Sequence, residues 1–303
     1  MAKATARGPK RGSERTRAKV AAQRAAQQRQ ERRRRMLTSV AGIVVIVLAI
    51  GGLVGYYLAQ HKKSAGVSTA AASLVAQVTG IPASVLTSVG DGGGLVTNHP
   101  KHIVNGASLT ANGKPEVVYI GAEYCPYCAA ERWAMVNALS RFGTFTNLHT
   151  TRSAVNDGNI ATFTFYQSTY SSPYVAFTPT ETRTNQLSGG TYATLQTPSK
   201  ALAQLLTRYD GPPYVPVNEA GGIPFVDIAN RYVVDGSSYV PTTLGQLSWT
   251  QIAGDLANPS SPVTKGIVGA ANELTAAICT ATQDLPTDVC AAPGVLAATR
   301  HLG

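Results

Sequence analysis

Two of the four cysteines, Cys125 and Cys128, are separated only by Pro126 and Tyr127. The apolar run Val117-Val118-Tyr119-Ile120 precedes them, and Ala129-Ala130-Glu131-Arg132-Trp133, of helical character, follows. A strand that turns into a helix at this point puts the first sulfur at the helix N-terminus. Unpaired amides and the positive end of the helix dipole stabilise a thiolate there. Pro126 fits the first helical turn, where its missing N–H is no loss. The second sulfur lies one turn further in, within reach of a disulfide to the first. A partly ionised thiol beside a resolving thiol performs thiol–disulfide exchange. A structural disulfide or half of a zinc site would use the same spacing. A zinc site needs two more ligands, but there is no second C-x-x-C, and the close histidine pair His99 and His102 falls in an expected loop. The strand–helix context favours redox chemistry, with Cys125 as nucleophile and Cys128 as resolving thiol.

The elements around this pair follow from local pattern. A turn at Asn112-Gly113-Lys114-Pro115 feeds a strand over 116–120, and the cysteine helix runs to Arg141, with Phe142-Gly143 ending it. Strands are expected over 148–153, 162–166 and 174–177, and a helix over 201–209. A second informative stretch is Gly221-Gly222-Ile223-Pro224-Phe225-Val226-Asp227-Ile228. A proline cannot donate to a ladder, so it belongs at the head of this apolar strand, which pairs with 231–234. Helices over 244–256 and 263–280 close the chain. Glu123 and Glu131 are the carboxylates nearest the cysteines and the candidates for proton transfer, although residues at such positions are usually solvated. Tyr124 and Tyr127, next to the cysteines, are candidates for contacting substrate. Tyr166, Tyr170, Tyr174, Tyr192, Tyr209 and Tyr214 punctuate the segment between the two stretches. They read as half-buried strand and turn residues more readily than as a docking surface. Cys279 and Cys290 flank ten residues containing Asp284-Leu285-Pro286 and are expected to form a structural disulfide. A second redox pair relaying electrons to Cys125 and Cys128 is the sharper alternative.

Charge and hydropathy set the frame. The chain has 303 residues and a net charge of +10, but residues 1–35 alone carry 13 Lys/Arg and 2 Asp/Glu. The remainder, with 13 basic and 14 acidic residues, is near neutral, which argues against a nucleic-acid-binding domain. After Arg32-Arg33-Arg34-Arg35, residues 36–60 contain no charged side chain. At about 1.5 Å per residue that stretch crosses a hydrocarbon core of about 30 Å. A cleaved export signal is the alternative, but the apolar run is long for one and the nearest small-residue site is Ala70-Ala71-Ala72. The excess of positive charge before the span puts the N-terminus in the cytoplasm and everything from His61 onward outside it. All four cysteines then lie where disulfides persist. The expected organisation is a basic cytoplasmic tail (1–35), a transmembrane anchor (36–60), a linker (61–94) with short helical patches, and a globular domain (95–303).

A strand, a C-x-x-C helix, an X-Pro at the head of a hairpin and a closing helix together resemble the thioredoxin superfamily. The resemblance implies an α/β fold with a central mixed sheet flanked by helices. It also implies a cis Ile223–Pro224 bond beside the disulfide, with the Ile223 backbone pairing with an incoming peptide. The stretch from Tyr119 to Trp133, with Phe142-Gly143 and Phe163-Thr164-Phe165, is similar to the domain of unknown function 929 family, membrane-anchored thioredoxin-like proteins. That similarity covers about 95–293. The chain departs from thioredoxin-type reductases in carrying Tyr119 where they have a buried acid, six residues before the first cysteine. About 95 residues separate Cys128 from Pro224, so a segment is inserted between the cysteine helix and the proline strand. The expected function is a membrane-anchored, extracytoplasmic thiol–disulfide oxidoreductase acting on exported protein thiols and disulfides, oxidase or isomerase slightly ahead of reductase. A membrane quinone-linked re-oxidant or a transmembrane electron donor would be its redox partner, and no metal or organic cofactor is implied. A non-catalytic scaffold in an envelope complex, or a reductant for metal or haem handling, are the alternatives.

Overall fold

A computed structural model describes Gly66 and residues 68–302. The basic tail over 1–35 and the membrane span expected over 36–60 lie outside the described residues. Among the described residues no single helix is long and apolar enough to cross a membrane.

The fold is mixed α/β. Its strands are β1 (Ser68–Thr69), β2 (Lys101–His102), β3 (Thr110–Ala111), β4 (Lys114–Gly121), β5 (Thr144–Thr146), β6 (His149–Arg152), β7 (Ala161–Thr164), β8 (Thr169–Ser171), β9 (Ala176–Glu181), β10 (Arg183–Ser188), β11 (Thr191–Thr194), β12 (Phe225–Ile228) and β13 (Tyr232–Asp235). Its helices are α1 (Ala72–Thr79), α2 (Ala83–Val89), α3 (Pro126–Leu139), α4 (Lys200–Tyr209), α5 (Trp249–Asp255), α6 (Pro262–Thr282), α7 (Thr287–Cys290) and α8 (Pro293–Ala298).

The central sheet runs β2-β13-β12-β4, with all those neighbours antiparallel. On its other edge β4 pairs parallel with β9, Tyr119 opposite Pro179 and Gly121 opposite Glu181. The short β3 closes a hairpin onto the start of β4. Being central, β4 is buried on both faces, which explains its unbroken apolar run. The period of two then sorts its side chains. Val117 and Tyr119 join the main core with Trp133 of α3 and Ile267 of α6, whereas Val118 and Ile120 meet Leu202 and Tyr209 of α4 on the opposite side. Tyr119 therefore faces the helix that carries the cysteines.

Helix α3 is enclosed almost throughout, with every residue from Cys128 to Leu139 buried. It packs between α6, β7 and α1. Helix α6 starts at Ser261, whose hydroxyl caps it ahead of Pro262. Cys279 in its last turn is disulfide-bonded to Cys290 of α7, with the Cα atoms 5.6 Å apart.

The segment over 61–94 is not a linker across its described part. Leu74 and Val78 of α1, Ile81, and Val85 and Val89 of α2 are buried in the main core, where α2 packs on α6 and α8. Five apolar residues over two short helices are too few to mark a core element in sequence, but those of α1 pack on α3 and α5, and those of α2 on α6 and α8. The helix expected over 244–256 is also shorter. Ser248 and Gln251 form a capping box that starts α5 at Trp249, and residues 241–243 form a 3-10 turn.

Candidate active site

Cys125 is the residue before α3, and its sulfur accepts a hydrogen bond from the Cys128 amide at 3.3 Å. On its other side the Cys125 thiol donates to the Ile223 carbonyl at 3.5 Å. The loop before β12 thus reaches the cysteine from 98 residues away. The Ile223–Pro224 bond is cis, as are Pro212–Pro213 and Leu285–Pro286. Both thiols are free and buried, Cys125 at 4% exposure and Cys128 at 0%. Tyr127 is exposed and Tyr124 half-buried.

The two thiols are driven apart electrostatically. A hydrogen bond from the Cys128 thiol, then the helix amides and the Arg132 guanidinium, lower the Cys125 pKa below its ordinary value against the opposing effect of burial. Burial, followed by its proximity to Cys125, pushes Cys128 well up. One thiolate is favoured and the other suppressed, as a nucleophile and its resolving partner require.

Behind the cysteines lies a buried polar cluster that sequence spacing does not reveal. Arg132 follows Cys128 by one helical turn, so both occupy the same side of α3. Its Nε donates to Glu181 Oε1 at 2.9 Å and its Nη2 to Glu181 Oε2 at 2.7 Å and to the Ala122 carbonyl at 2.7 Å. Arg132 Nη1 is buried with no partner. The Tyr119 ring lies 5.8 Å from the guanidinium carbon. Its hydroxyl is also buried without a partner, and burial keeps it a neutral phenol. Gly121 accounts for this packing: a Cβ there would stand 2.2 Å from Tyr119 Oη and 3.0 Å from Cys128 Sγ. The phenol and the Cys128 sulfur therefore share the space above a residue with no side chain.

Glu123 and Glu131 are not solvated. Glu123 is 1% exposed and Glu131 0%. Glu131 turns to Ser238, accepting from its amide at 2.7 Å and its hydroxyl at 3.1 Å, and burial raises its pKa to about 7. Glu123 lies two residues past the end of β4, where its amide donates to the Arg183 carbonyl at 2.9 Å and its Oε1 is buried and unpartnered. Burial, then the nearby Glu181, raises its pKa. Local sequence made both look like turn and helix charges because the covering groups, Ser238 and the β10–β11 hairpin, come from far along the chain.

That hairpin also supplies a residue sequence reasoning left among six equivalent tyrosines. Tyr192 of β11 stacks on Tyr124 with ring centroids 4.2 Å apart and planes 5° off parallel, and its hydroxyl donates to Asp157 at 3.1 Å. The other five tyrosines of the segment are buried or half-buried, Tyr170 within a cluster with Phe145 and Phe177. His99 and His102 do not approach the cysteines: His99 bonds to Glu273 of α6, and His102 packs beside Tyr232.

A family model described as Domain of unknown function (DUF929) matches residues 101–280, more than half of the chain and all of the central sheet. No curated protein and no solved structure matches the chain.

Proposed function

We propose that this chain, which belongs to the DUF929 family, is a thiol–disulfide oxidoreductase of thioredoxin-like fold, with Cys125 as nucleophile and Cys128 as resolving thiol. The observation that carries this reading is the asymmetric pair: Cys125 at the head of α3, touching the carbonyl that precedes Pro224, with Cys128 buried behind it. The strand order supports the fold, because the strand leading to the cysteines is flanked by a parallel strand on one side and the proline-headed antiparallel hairpin on the other.

In the oxidising direction, a substrate thiolate attacks Cys125 Sγ of the Cys125–Cys128 disulfide. Cys128 leaves as a thiolate and takes a proton. A second substrate thiolate then attacks the substrate sulfur of the mixed disulfide, and Cys125 leaves. Two electrons and two protons pass from the substrate dithiol to the enzyme dithiol. Stabilising the Cys125 thiolate stabilises the reduced enzyme and makes its disulfide a stronger oxidant, which supports oxidase or isomerase over reductase. Ile223, Pro224, Tyr124 and exposed Tyr127 form the contact surface for an extended segment of an exported protein. The anchor over 36–60 holds the domain outside the cytoplasm, where a membrane quinone-linked partner restores the disulfide.

Purified full-length protein, oxidised and mixed with reduced unfolded ribonuclease, is expected to introduce disulfides. The Cys128→Ser variant should accumulate a mixed disulfide through Cys125, and Cys125→Ser should form none. A Cys125→Ser protein that supports growth of a deletion strain fully, with no thiol exchange by the parent protein, would point to a scaffold instead.

A further inference from the structure

Away from the cysteines, three residues remote in sequence converge at one edge of the molecule. His99 precedes β2, Glu273 lies in the middle of α6, and His301 follows α8. One potential ligand atom from each lies within 4.8 Å of the others. His99 Nδ1 is 2.9 Å from Glu273 Oε2 and 3.0 Å from Oε1. The His99 and His301 rings stack with centroids 4.4 Å apart. His301 Nε2 meets Asp91 Oδ2 at 2.7 Å, and Asp91 is held in turn by Arg300 and by the Gly93 amide.

Glu273 makes this cluster more than a surface grouping. Its side chain is 1% exposed, and among the described residues its only ion-pair partner is His99. Two other buried acids, on α3 and beside it, are provided for differently: Glu181 by Arg132, Glu131 by the amide and hydroxyl of Ser238. A carboxylate withdrawn from water is costly without a full positive charge beside it, and a histidine supplies one only when protonated.

We propose that His99, Glu273 and His301 form a binding site for a single zinc-class divalent metal ion, with Asp91 orienting His301. Two imidazoles and one carboxylate are the donor set of zinc sites that keep an open fourth position, and they disfavour the hard all-oxygen ions magnesium and calcium. Tetrahedral zinc spaces its donors by about 3.4 Å, from bonds of about 2.0–2.1 Å. The present spacing closes to that by rotation of two rings that are each about a third exposed, 34% and 30%. Asp91 occupies Nε2 of His301 and so leaves Nδ1 as that ring's donor, the carboxylate–histidine–metal arrangement that fixes a ligand tautomer. The rings open onto a cleft of about 570 Å³ lined also by Lys101 and His102, from which an ion and its water would enter. Bound metal ties the segment before β2, helix α6 and residue 301 together. It stabilises the folded state by binding that state alone.

The test uses full-length protein with its affinity tag removed, in a Cys125→Ser/Cys128→Ser background so that the thiols cannot take zinc. After stripping with a chelator, the protein is titrated with zinc against a chromophoric competitor. One zinc per chain and a raised melting temperature are expected. Asp91→Asn should weaken binding about 10- to 100-fold, His99→Ala, His301→Ala and Glu273→Gln should abolish competition, and His102→Ala should leave it unchanged. X-ray absorption on the parent protein should show two imidazoles, a reading that needs no ligand variant to fold. The proposal is overturned by the absence of stoichiometric zinc, by affinity that survives loss of His99 or Glu273, by a His102→Ala loss as large as that of His99→Ala, or by a coordination shell without imidazole.

Discussion

Arg132 and Glu181 join the cysteine helix to the strand beside β4 through two parallel hydrogen bonds, at 2.9 and 2.7 Å, with both side chains at 0% exposure. The pair fixes the guanidinium below the cysteines, where its charge favours the Cys125 thiolate.

Removing either member leaves the other charge buried and uncompensated. Arg132→Met and Glu181→Gln should each destabilise the protein by about 3–5 kcal/mol, read from denaturant unfolding. In Arg132→Met that still folds, the pH profile of Cys125 alkylation should move upward, whereas Glu181→Gln, which frees the guanidinium from its counter-charge, should move it downward. Equal profiles in all three proteins would remove the guanidinium from any part in thiol ionisation.

The split between the two thiols should appear directly in alkylation. Because the folded pKa of Cys125 lies below that of an ordinary thiol, Cys125 should react with iodoacetamide at pH values where a free cysteine peptide scarcely does. Cys128, held protonated by burial, should stay unmodified until the protein unfolds. Peptide mass mapping across a pH series checks both statements, and preferential labelling of Cys128 would reverse the assigned roles.

Gly121→Ala should be poorly tolerated, since the added methyl meets the Tyr119 hydroxyl and the Cys128 sulfur. A loss of about 1–3 kcal/mol is expected from overpacking, together with slower formation of the Cys125–Cys128 disulfide. A variant as stable and as fast as the parent would mean that Tyr119 moves aside freely.

Glu131 gives the stability a pH dependence of defined sign. Its pKa is about 7 in the folded chain against the ordinary 4.5, so between those values the folded state binds more protons than the unfolded one. The stability tied to the neutral acid is complete below about pH 4.5 and declines as pH rises to about 7, with a span of about 3 kcal/mol. Glu131→Gln can still bond both groups of Ser238 and should flatten that decline in urea titrations run across this window.

Replacing Cys279 and Cys290 together with serine should cost about 3 kcal/mol, as expected for opening a loop of this size. The melting temperature should fall while thiol exchange by the Cys125 pair continues at the parental rate. Lost exchange at unchanged stability would instead make the second pair a relay.

What the sequence by itself determined was local. The Cys-Pro-Tyr-Cys spacing, the β-branched run before it and the proline before Phe225 specify a strand, a helix start and a second strand, because turn chemistry and period-two patterning act over a few residues. The disulfide of Cys279 and Cys290 was legible for the same reason, its partners being only 11 residues apart. Tertiary structure alone decided which charges are buried and what they meet. Glu181 lies 49 residues from Arg132, and Glu273 174 residues from His99. Helix α3, buried at every residue from Cys128 to Leu139, has no exposed polar stripe from which its contacts could be read. Glu123 and Glu131 were expected in solvent because their own neighbours in sequence do not cover them. Segments from the far end of the sheet and from the β10–β11 hairpin do, and burial by distant chain is set by how the layers close, which no local window records.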